Sequence, residues 1–167
     1  MSAAPDISPD GLTVDEQRAW RAFLSAHART TLALDRVLHQ ATGVRLGEFE
    51  VLAHLAEEGG RMRMHLLAER CAMSPSGLTR RFDALAARGW VERRTCPEDG
   101  RGVVAHLTPL GQDAVDEAGP VHAAALRRCF LDPVEPTDLR VLGEALGAIA
   151  EGVALVEPGP DGPAARD

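Results

Sequence analysis

The chain has 167 residues, of which 45% are hydrophobic and 26% are charged, a balance typical of one globular domain and not of a disordered chain. Its net charge of −7 excludes a protein that coats nucleic acid through overall positive charge. All 18 basic residues are arginine, and nine of them lie with five acids in the segment 61–101, which therefore carries a net charge of +4. Arginine suits planar, bidentate contacts with phosphate or guanine.

Residues 1–12 and 157–167 are rich in Pro, Gly, Asp and Ala without periodicity, and we expect both to be flexible tails around a single domain at 13–156. The first sixteen residues contain no basic residue, which argues against a secretion signal. The most apolar stretch, 141–156, is too short to span a bilayer. We therefore expect a cytoplasmic protein with no membrane partner.

The domain is predicted to be mainly helical. Thr13 and Glu16 have the spacing of a capping box, which begins a long amphipathic helix that ends near Gly43. The later elements, in chain order, are a helix at about 47–57, a very short strand at 61–64, helices at 65–72 and 74–89, strands at 90–96 and 103–107, a helix at 108–131 kinked at Gly119-Pro120, and a helix at 136–156. Ser74-Pro75 and Thr108-Pro109 each combine an N-cap with proline at the first helical position.

Two short helices joined by a tight turn at 72–74 and followed by a β-hairpin form a winged helix-turn-helix, which we place at about 47–108. The predicted fold class is therefore mainly α with a small β-wing. The basic segment coincides with this motif. Arg101 lies at the hairpin tip beside glycines, where it can reach a minor groove or a phosphate.

The second helix of this motif has one apolar and one polar side. Its periodicity groups Leu78, Phe82 and Leu85 on the apolar side. Small polar residues and an arginine near the helix N-terminus face the other way, as reading of a major groove requires. The predicted DNA-binding residues are Ser74, Ser76, Gly77, Thr79, Arg80, Arg81, Arg94, Arg101 and Gly102. For Arg80, and still more for Arg81, which is nearer the apolar side, the alternative is a solvated charge or an internal ion pair with Asp83 or Glu69.

These motifs resemble the MarR family of bacterial transcription regulators. The similarity lies in R-M-R-M-x-x-L-A-E-R at 61–70, S-P-S-G-L-T-R-R at 74–81, R-G-W-V-E-R at 88–93 and D-G-R-G-V-V-A-H-L-T-P-L-G at 99–111. The resemblance implies that Ser76, Thr79 and Arg80 contact double-stranded DNA from the reading helix and that Arg101 contacts it from the wing. His65 departs from the family pattern, because many relatives have a small helix-capping residue there.

The helices outside the winged motif, at about 13–42 and 108–156, carry apolar stripes that one small domain cannot cover. We expect them to form a dimerisation region, and the resemblance implies a homodimer whose two winged domains read a near-palindromic site. Two reading helices would then face successive major grooves about 34 Å apart.

The resemblance also implies a repressor that is released from DNA by a small anionic or aromatic ligand. The candidate pocket residues are Trp20, Phe23, His27, His54 and His122. The alternative is that the aromatic rings are core residues and that the histidines are hydrogen-bonded and inert.

Other functions are alternatives to this one. A thiol sensor would use Cys96, whose pKa nearby arginines would lower, but the chain lacks the tyrosines that accompany the reactive cysteine of peroxide-sensing relatives. A metal sensor would use histidines, but none of them has H-x-x-x-H spacing, and we expect no metal or cofactor. A winged helix also serves as a protein-interaction module. An enzyme is not expected, because no phosphate-binding glycine loop, G-x-S-x-G motif or Ser, His and Asp cluster is present.

Overall fold

The computed structural model describes residues 11–95 and 103–153 of the chain. Within these residues the helices are α1 (Val14–Thr42), α2 (Leu46–Glu57), α3 (Met64–Arg70), α4 (Pro75–Ala87), α5 (Pro109–Leu126), a π-helical turn (Arg127–Leu131) and α6 (Pro136–Val153). The strands are β1 (Arg61–Arg63), β2 (Val91–Thr95) and β3 (Val103–Leu107). This confirms the predicted fold class, which is mainly α with a small β-wing. Two compact units divide between Cys129 and Phe130, and α6 belongs to the second.

The three helix N-termini for which the sequence predicts a cap form at the predicted residues. The Thr13 hydroxyl accepts a hydrogen bond from the backbone N–H of Glu16, whose carboxylate accepts the N–H of Thr13 at 2.7 Å, so the capping box is confirmed. The Ser74 hydroxyl caps α4 by accepting the N–H of Gly77 at 3.1 Å. The Thr108 hydroxyl caps α5 in the same way, with Gly111 at 3.0 Å.

Some boundaries differ from the prediction. The first strand ends at Arg63 because Met64 already belongs to α3. The α-helical part of α5 runs without a break through Pro120 but ends at Leu126, and a π-helical turn replaces the predicted last turn. The predicted end of the second strand at Cys96 and the end of the last helix beyond Val153 lie outside the described residues.

The three strands form an antiparallel sheet in the order β1-β3-β2. Val91 pairs with Leu107 and Arg94 with Val104, so the predicted hairpin is confirmed. The start of α5 is tied to this sheet, because the N–H of Thr108 donates to the Trp90 carbonyl at 3.0 Å. A Cβ atom on Gly111 would lie 2.1 Å from that carbonyl oxygen, so only glycine permits this close approach.

The main core of the first unit lies between α4 and the helices around it. The apolar side of α4 is fully buried, with Leu78, Phe82 and Leu85 each 1% exposed or less. Around it pack buried side chains of α1, α2, α3 and the sheet, among them Leu38, Leu52, Leu55, Leu67, Val91 and Ala105. A smaller cluster of Leu34, Leu46 and Ala125 joins α1, α2 and α5.

His122 of α5 is half-buried against Phe49 of α2, with 4.7 Å between the ring centroids. Burial lowers the pKa of His122 below its ordinary value of 6.5, and the nearby Glu50 carboxylate opposes this shift only in part. The neutral imidazole is therefore the form that the folded chain holds at neutral pH.

This lowered pKa predicts a loss of stability in acid. The unfolded chain binds a proton near pH 6.5 while the folded chain resists it, so the free energy of unfolding falls as pH drops from about 6.5 towards the lower folded-state pKa. The variant His122→Gln is expected to lose this part of the pH dependence, as measured by urea unfolding at pH 7.5 and 5.5. An unchanged difference between the two pH values in the variant would contradict the assignment.

Candidate nucleic-acid interface

The N-terminal half of α4 presents an exposed polar surface. Ser74, Ser76, Thr79 and Arg80 are all exposed, as predicted from the burial of the opposite side of the helix. The Thr79 hydroxyl donates to the Pro75 carbonyl at 2.9 Å and keeps its lone pairs for a donor outside the chain. Ser74 and Ser76 lie with their hydroxyl oxygens 3.3 Å apart. These groups surround a helix N-terminus, whose dipole favours phosphate.

Arg80 and Arg81 are adjacent in sequence but have different surroundings. The Arg80 side chain is exposed and forms no ion pair or hydrogen bond within the described part of the chain. The Arg81 guanidinium instead lies against α2, with Nη1 at 1.8 Å from the position that a Cβ atom of Gly47 would occupy. Gly77, one of the predicted contacts, is half-buried beside the Ser74 cap.

Other arginines of the basic segment are used within the fold. The Arg88 guanidinium lies 3.5 Å from the centre of the Trp90 ring and donates to the Gly43 carbonyl and the Glu48 carboxylate. The Arg70 guanidinium pairs with Glu58 at 2.5 Å. Glu48 and Glu58 lie outside the basic segment in the sequence but pair with two of its arginines. The net charge of +4 counted for the segment is therefore larger than the positive charge that a ligand meets there.

The wing also uses its arginines partly in ion pairs. Arg93 of β2 pairs with Asp83 at 2.5 Å and lies 4.8 Å from the centre of the Phe82 ring, which ties the wing to α4. Asp83 is thus the partner of Arg93, and the alternative pairing of Asp83 with Arg80 or Arg81 is wrong. Arg94, a predicted DNA contact, is exposed and pairs with Glu92 on the same strand.

The internal roles of Arg88 and Arg93 were not predicted from the sequence. For Arg88 a local signal exists, because R-G-W places its guanidinium near an indole ring across a glycine turn. For Arg93 no local signal exists, because its partner lies ten residues away on another element.

The predicted contacts Arg101 and Gly102, and the candidate thiol Cys96, lie outside the described residues. Cys71 is half-buried at the end of α3, and burial together with the Glu50 carboxylate raises the pKa of its thiol, while Arg81 opposes this. Because a thiol is reactive as the thiolate, Cys71 has the surroundings of a structural cysteine. Cys129 is exposed.

The candidate effector residues lie in three places. Trp20, Phe23 and His27 form a stack along the exposed side of α1, with ring centroids 5.8 and 6.1 Å apart. His54 lies 3.4 Å from the Glu57 carboxylate on α2, and His122 packs on Phe49. Within the described residues, no ring contact or hydrogen bond joins the α1 stack to either of the other two histidines.

The described residues contain neither a membrane-spanning helix nor a cluster of metal ligands. No helix in 11–95 or 103–153 combines the length and the apolar character needed to cross a membrane. In the same ranges, no group of three or more His, Cys, Asp or Glu side chains is arranged to hold a metal ion.

Comparison with known proteins identifies the family. Residues 42–102 match the sequence model of the MarR family. The chain is 36% identical to AbsC, a MarR family transcriptional regulator from Streptomyces coelicolor, with a TM-score of 0.80 over 86% of this chain and 97% of that one. It is 34% identical to Sco3205, a MarR family regulator of the same organism whose structure is a complex with DNA, with a TM-score of 0.81 over 93% and 99% of the two chains.

A third relative is YkoM of Bacillus subtilis, an uncharacterized HTH-type transcriptional regulator that is 33% identical over 102 residues. The match covers 60% of this chain and 66% of that protein. The resemblance seen in the sequence motifs is thereby confirmed, and the chain belongs to the MarR family of transcriptional regulators, which are DNA-binding winged-helix proteins and not enzymes.

Proposed function

We propose that the protein is a cytoplasmic homodimeric repressor that reads a near-palindromic double-stranded DNA site and is released by a small anionic or aromatic ligand. The observation that supports DNA reading most directly is the exposed N-terminal half of α4, where Arg80 has no partner among the described residues. The DNA complex of Sco3205 agrees with this use of the fold. The DNA-reading part is assigned to residues of about 47–108, and the dimerisation helices to about 13–42 and 108–156.

In this proposal Arg80 reads a base edge, while Ser76 and Thr79 fix the helix against the sugar-phosphate backbone or reach the bases beside it. Arginine pairs with guanine through two parallel hydrogen bonds, which is the commonest specific contact in a major groove. Small neighbours allow the close approach that such a contact needs. Arg101 and Gly102 of the wing are assigned a second contact, which rests on the family resemblance alone.

The variant Arg80→Ala tests the assignment on α4. It is expected to cost about 1 to 3 kcal/mol of binding free energy and to relax the base preference at one position of each half-site. The probe is a duplex enriched by the wild-type protein from a random-sequence pool, with single-base variants of that duplex. Arg61→Ala, which removes an exposed arginine of β1 outside both the dimerisation helices and the predicted contacts, serves as the control. An equal loss on every sequence would make Arg80 a phosphate contact instead.

Dimerisation is supported by apolar side chains that each unit leaves exposed. In α1 nearly every residue from 14 to 29 is exposed, including Trp20 at 56% and Leu24 at 44%. No residue of α6 is buried, although Val141, Ile149 and Val153 give it an apolar content typical of a packed helix. Such exposed apolar helices mark a protein interface, and a second copy of the chain supplies matching surfaces.

Light scattering is expected to give twice the 17.8 kDa mass of one chain at micromolar concentration. Leu24→Glu, outside the ring stack of α1, places a charge in the proposed interface and is expected to shift the mass towards a single chain. Leu66→Glu, on an exposed residue of α3 outside the dimerisation helices, is the matched control and is expected to remain a dimer. A wild-type mass of one chain would refute the homodimer.

The ligand part of the proposal rests on the family resemblance and on the stacked rings of Trp20, Phe23 and His27, which offer a flat surface to an aromatic acid. His54 and His122 are the further candidates. In a Trp90→Phe background, Trp20 is the remaining tryptophan, and its fluorescence is expected to change with salicylate at concentrations that also release DNA. DNA release without any change in Trp20 emission would move the ligand away from this stack.

A further inference from the structure

The Arg81 guanidinium fills the space beside Gly47 of α2. Measured from the position of a Cβ atom built on Gly47, the guanidinium carbon of Arg81 is at 2.6 Å and its two terminal nitrogens are at 1.8 and 3.1 Å. The guanidinium therefore occupies the space that any larger residue at position 47 would need. Because Arg81 is half-buried there, it is less available to a phosphate than its neighbour Arg80.

A second arginine, at the C-cap of α4, contacts the same region. Arg88 follows Arg81 by two helical turns, so both side chains leave the same side of α4. Its Nη1 donates to the Gly43 carbonyl at 3.2 Å and to the Glu48 carboxylate at 3.3 Å. Residues 43–48, which we name the α1–α2 junction, are thus contacted by Arg81 of the reading helix and by Arg88, the C-cap residue two turns later.

The α1–α2 junction is in turn fixed to α1. The Asp35 carboxylate accepts the N–H of Leu46 and a guanidinium N–H of Arg45, both at 2.9 Å. The backbone hydrogen bond is the main reason that the pKa of Asp35 lies below its ordinary value. A continuous set of polar contacts therefore runs from α1 through the junction to α4.

We propose that Arg81 is a positioning residue, whose guanidinium, packed on Gly47, fixes the orientation of α4 against the α1–α2 junction and so sets sequence selectivity without touching DNA. This rests on the proposed function, in which α4 reads bases. It replaces the expectation from the sequence that Arg81 itself contacts DNA. A small tilt of α4 misplaces Arg80 at a base edge but leaves the overall attraction to phosphate unchanged, because the charge of the surface is the same.

Substitution of Arg81 by lysine distinguishes a positioning role from a direct phosphate contact. A phosphate contact needs a positive charge, which lysine supplies, whereas packing on Gly47 needs a flat guanidinium, which lysine lacks. Alanine at position 47 gives an independent way to displace the guanidinium. If Arg81 is removed first, the added methyl group at position 47 has nothing to displace.

The experiment measures binding of the full chain by fluorescence anisotropy at several salt concentrations. Its probes are a duplex enriched by the wild-type protein from a random pool and a duplex of random sequence. The variants are Arg81→Ala, Arg81→Lys, Gly47→Ala and the double variant that combines Gly47→Ala with Arg81→Ala. The matched control is Arg80→Ala, which removes a proposed DNA contact at the neighbouring position. Urea unfolding of each variant shows whether it is folded under the binding conditions. If Arg81→Ala is unfolded, Gly47→Ala and Arg81→Lys still test the proposal.

Each single change at 47 or 81 is expected to weaken binding to the enriched duplex by about tenfold, with binding to the random duplex and the salt slope unchanged. The double variant is expected to match Arg81→Ala, because the two changes break one contact. Wild-type affinity in Arg81→Lys, together with a salt slope reduced by about 0.9 in Arg81→Ala, would overturn the inference in favour of a phosphate contact. Wild-type affinity in Gly47→Ala would also overturn it. If the wild-type chain enriches no sequence, the proposed function fails first, which separates the two outcomes.

Discussion

The burial of Leu78, Phe82 and Leu85 fixes the rotation of α4, and the rest of the interface depends on that rotation. Each of these side chains is almost completely removed from solvent, and burying side chains of this size contributes about 1.5 to 3 kcal/mol apiece. A helix turned by one residue position would expose part of this set, so one orientation is strongly preferred. It places Ser76, Thr79 and Arg80 outward and directs Arg81, 100° further round, towards α2.

A second constraint follows from how the acidic residues are distributed. Among the described residues of the basic segment, Arg70, Arg88, Arg93 and Arg94 pair with carboxylates, and two of those carboxylates, Glu48 and Glu58, lie outside the segment. These pairs are partly exposed, so each contributes little to stability by itself. Their effect is to decide which arginines remain available: Arg80 is free of partners among the described residues, whereas Arg88 and Arg93 brace α4 from its C-terminal end and from the wing.

Local chemistry in the sequence predicted much of the fold. Thr13, Ser74 and Thr108 cap their helices as expected because capping depends only on residues within one turn. The apolar side of α4 followed from its periodicity for the same reason. The end of α5 was missed, because the change to a π-helical turn at 127–131 has no signal in capping or periodicity.

The long-range contacts of the site could not be predicted in this way. Arg81 contacts Gly47, which lies 34 positions earlier in the chain, and Arg93 of β2 pairs with Asp83 of α4. Because the partners lie on different elements, neither contact can be predicted from the local sequence pattern. The candidate effector residues show the same difference between local and long-range contacts. Trp20 and Phe23 stack as their spacing of three residues suggests, whereas the contact of His122 with Phe49 of another helix has no local signal.

Helix α4 offers Arg80 to DNA, while Arg81 and Arg88 hold the helix in place. Reaction of the arginines with phenylglyoxal, read by mass spectrometry with and without an enriched duplex, separates these two roles. Arg80 is expected to react fast in the free protein and to be protected by DNA, whereas Arg81 and Arg88 are expected to react slowly in both states. Fast reaction of Arg81 that DNA suppresses, or an Arg80 that DNA leaves equally reactive, would contradict this assignment of roles.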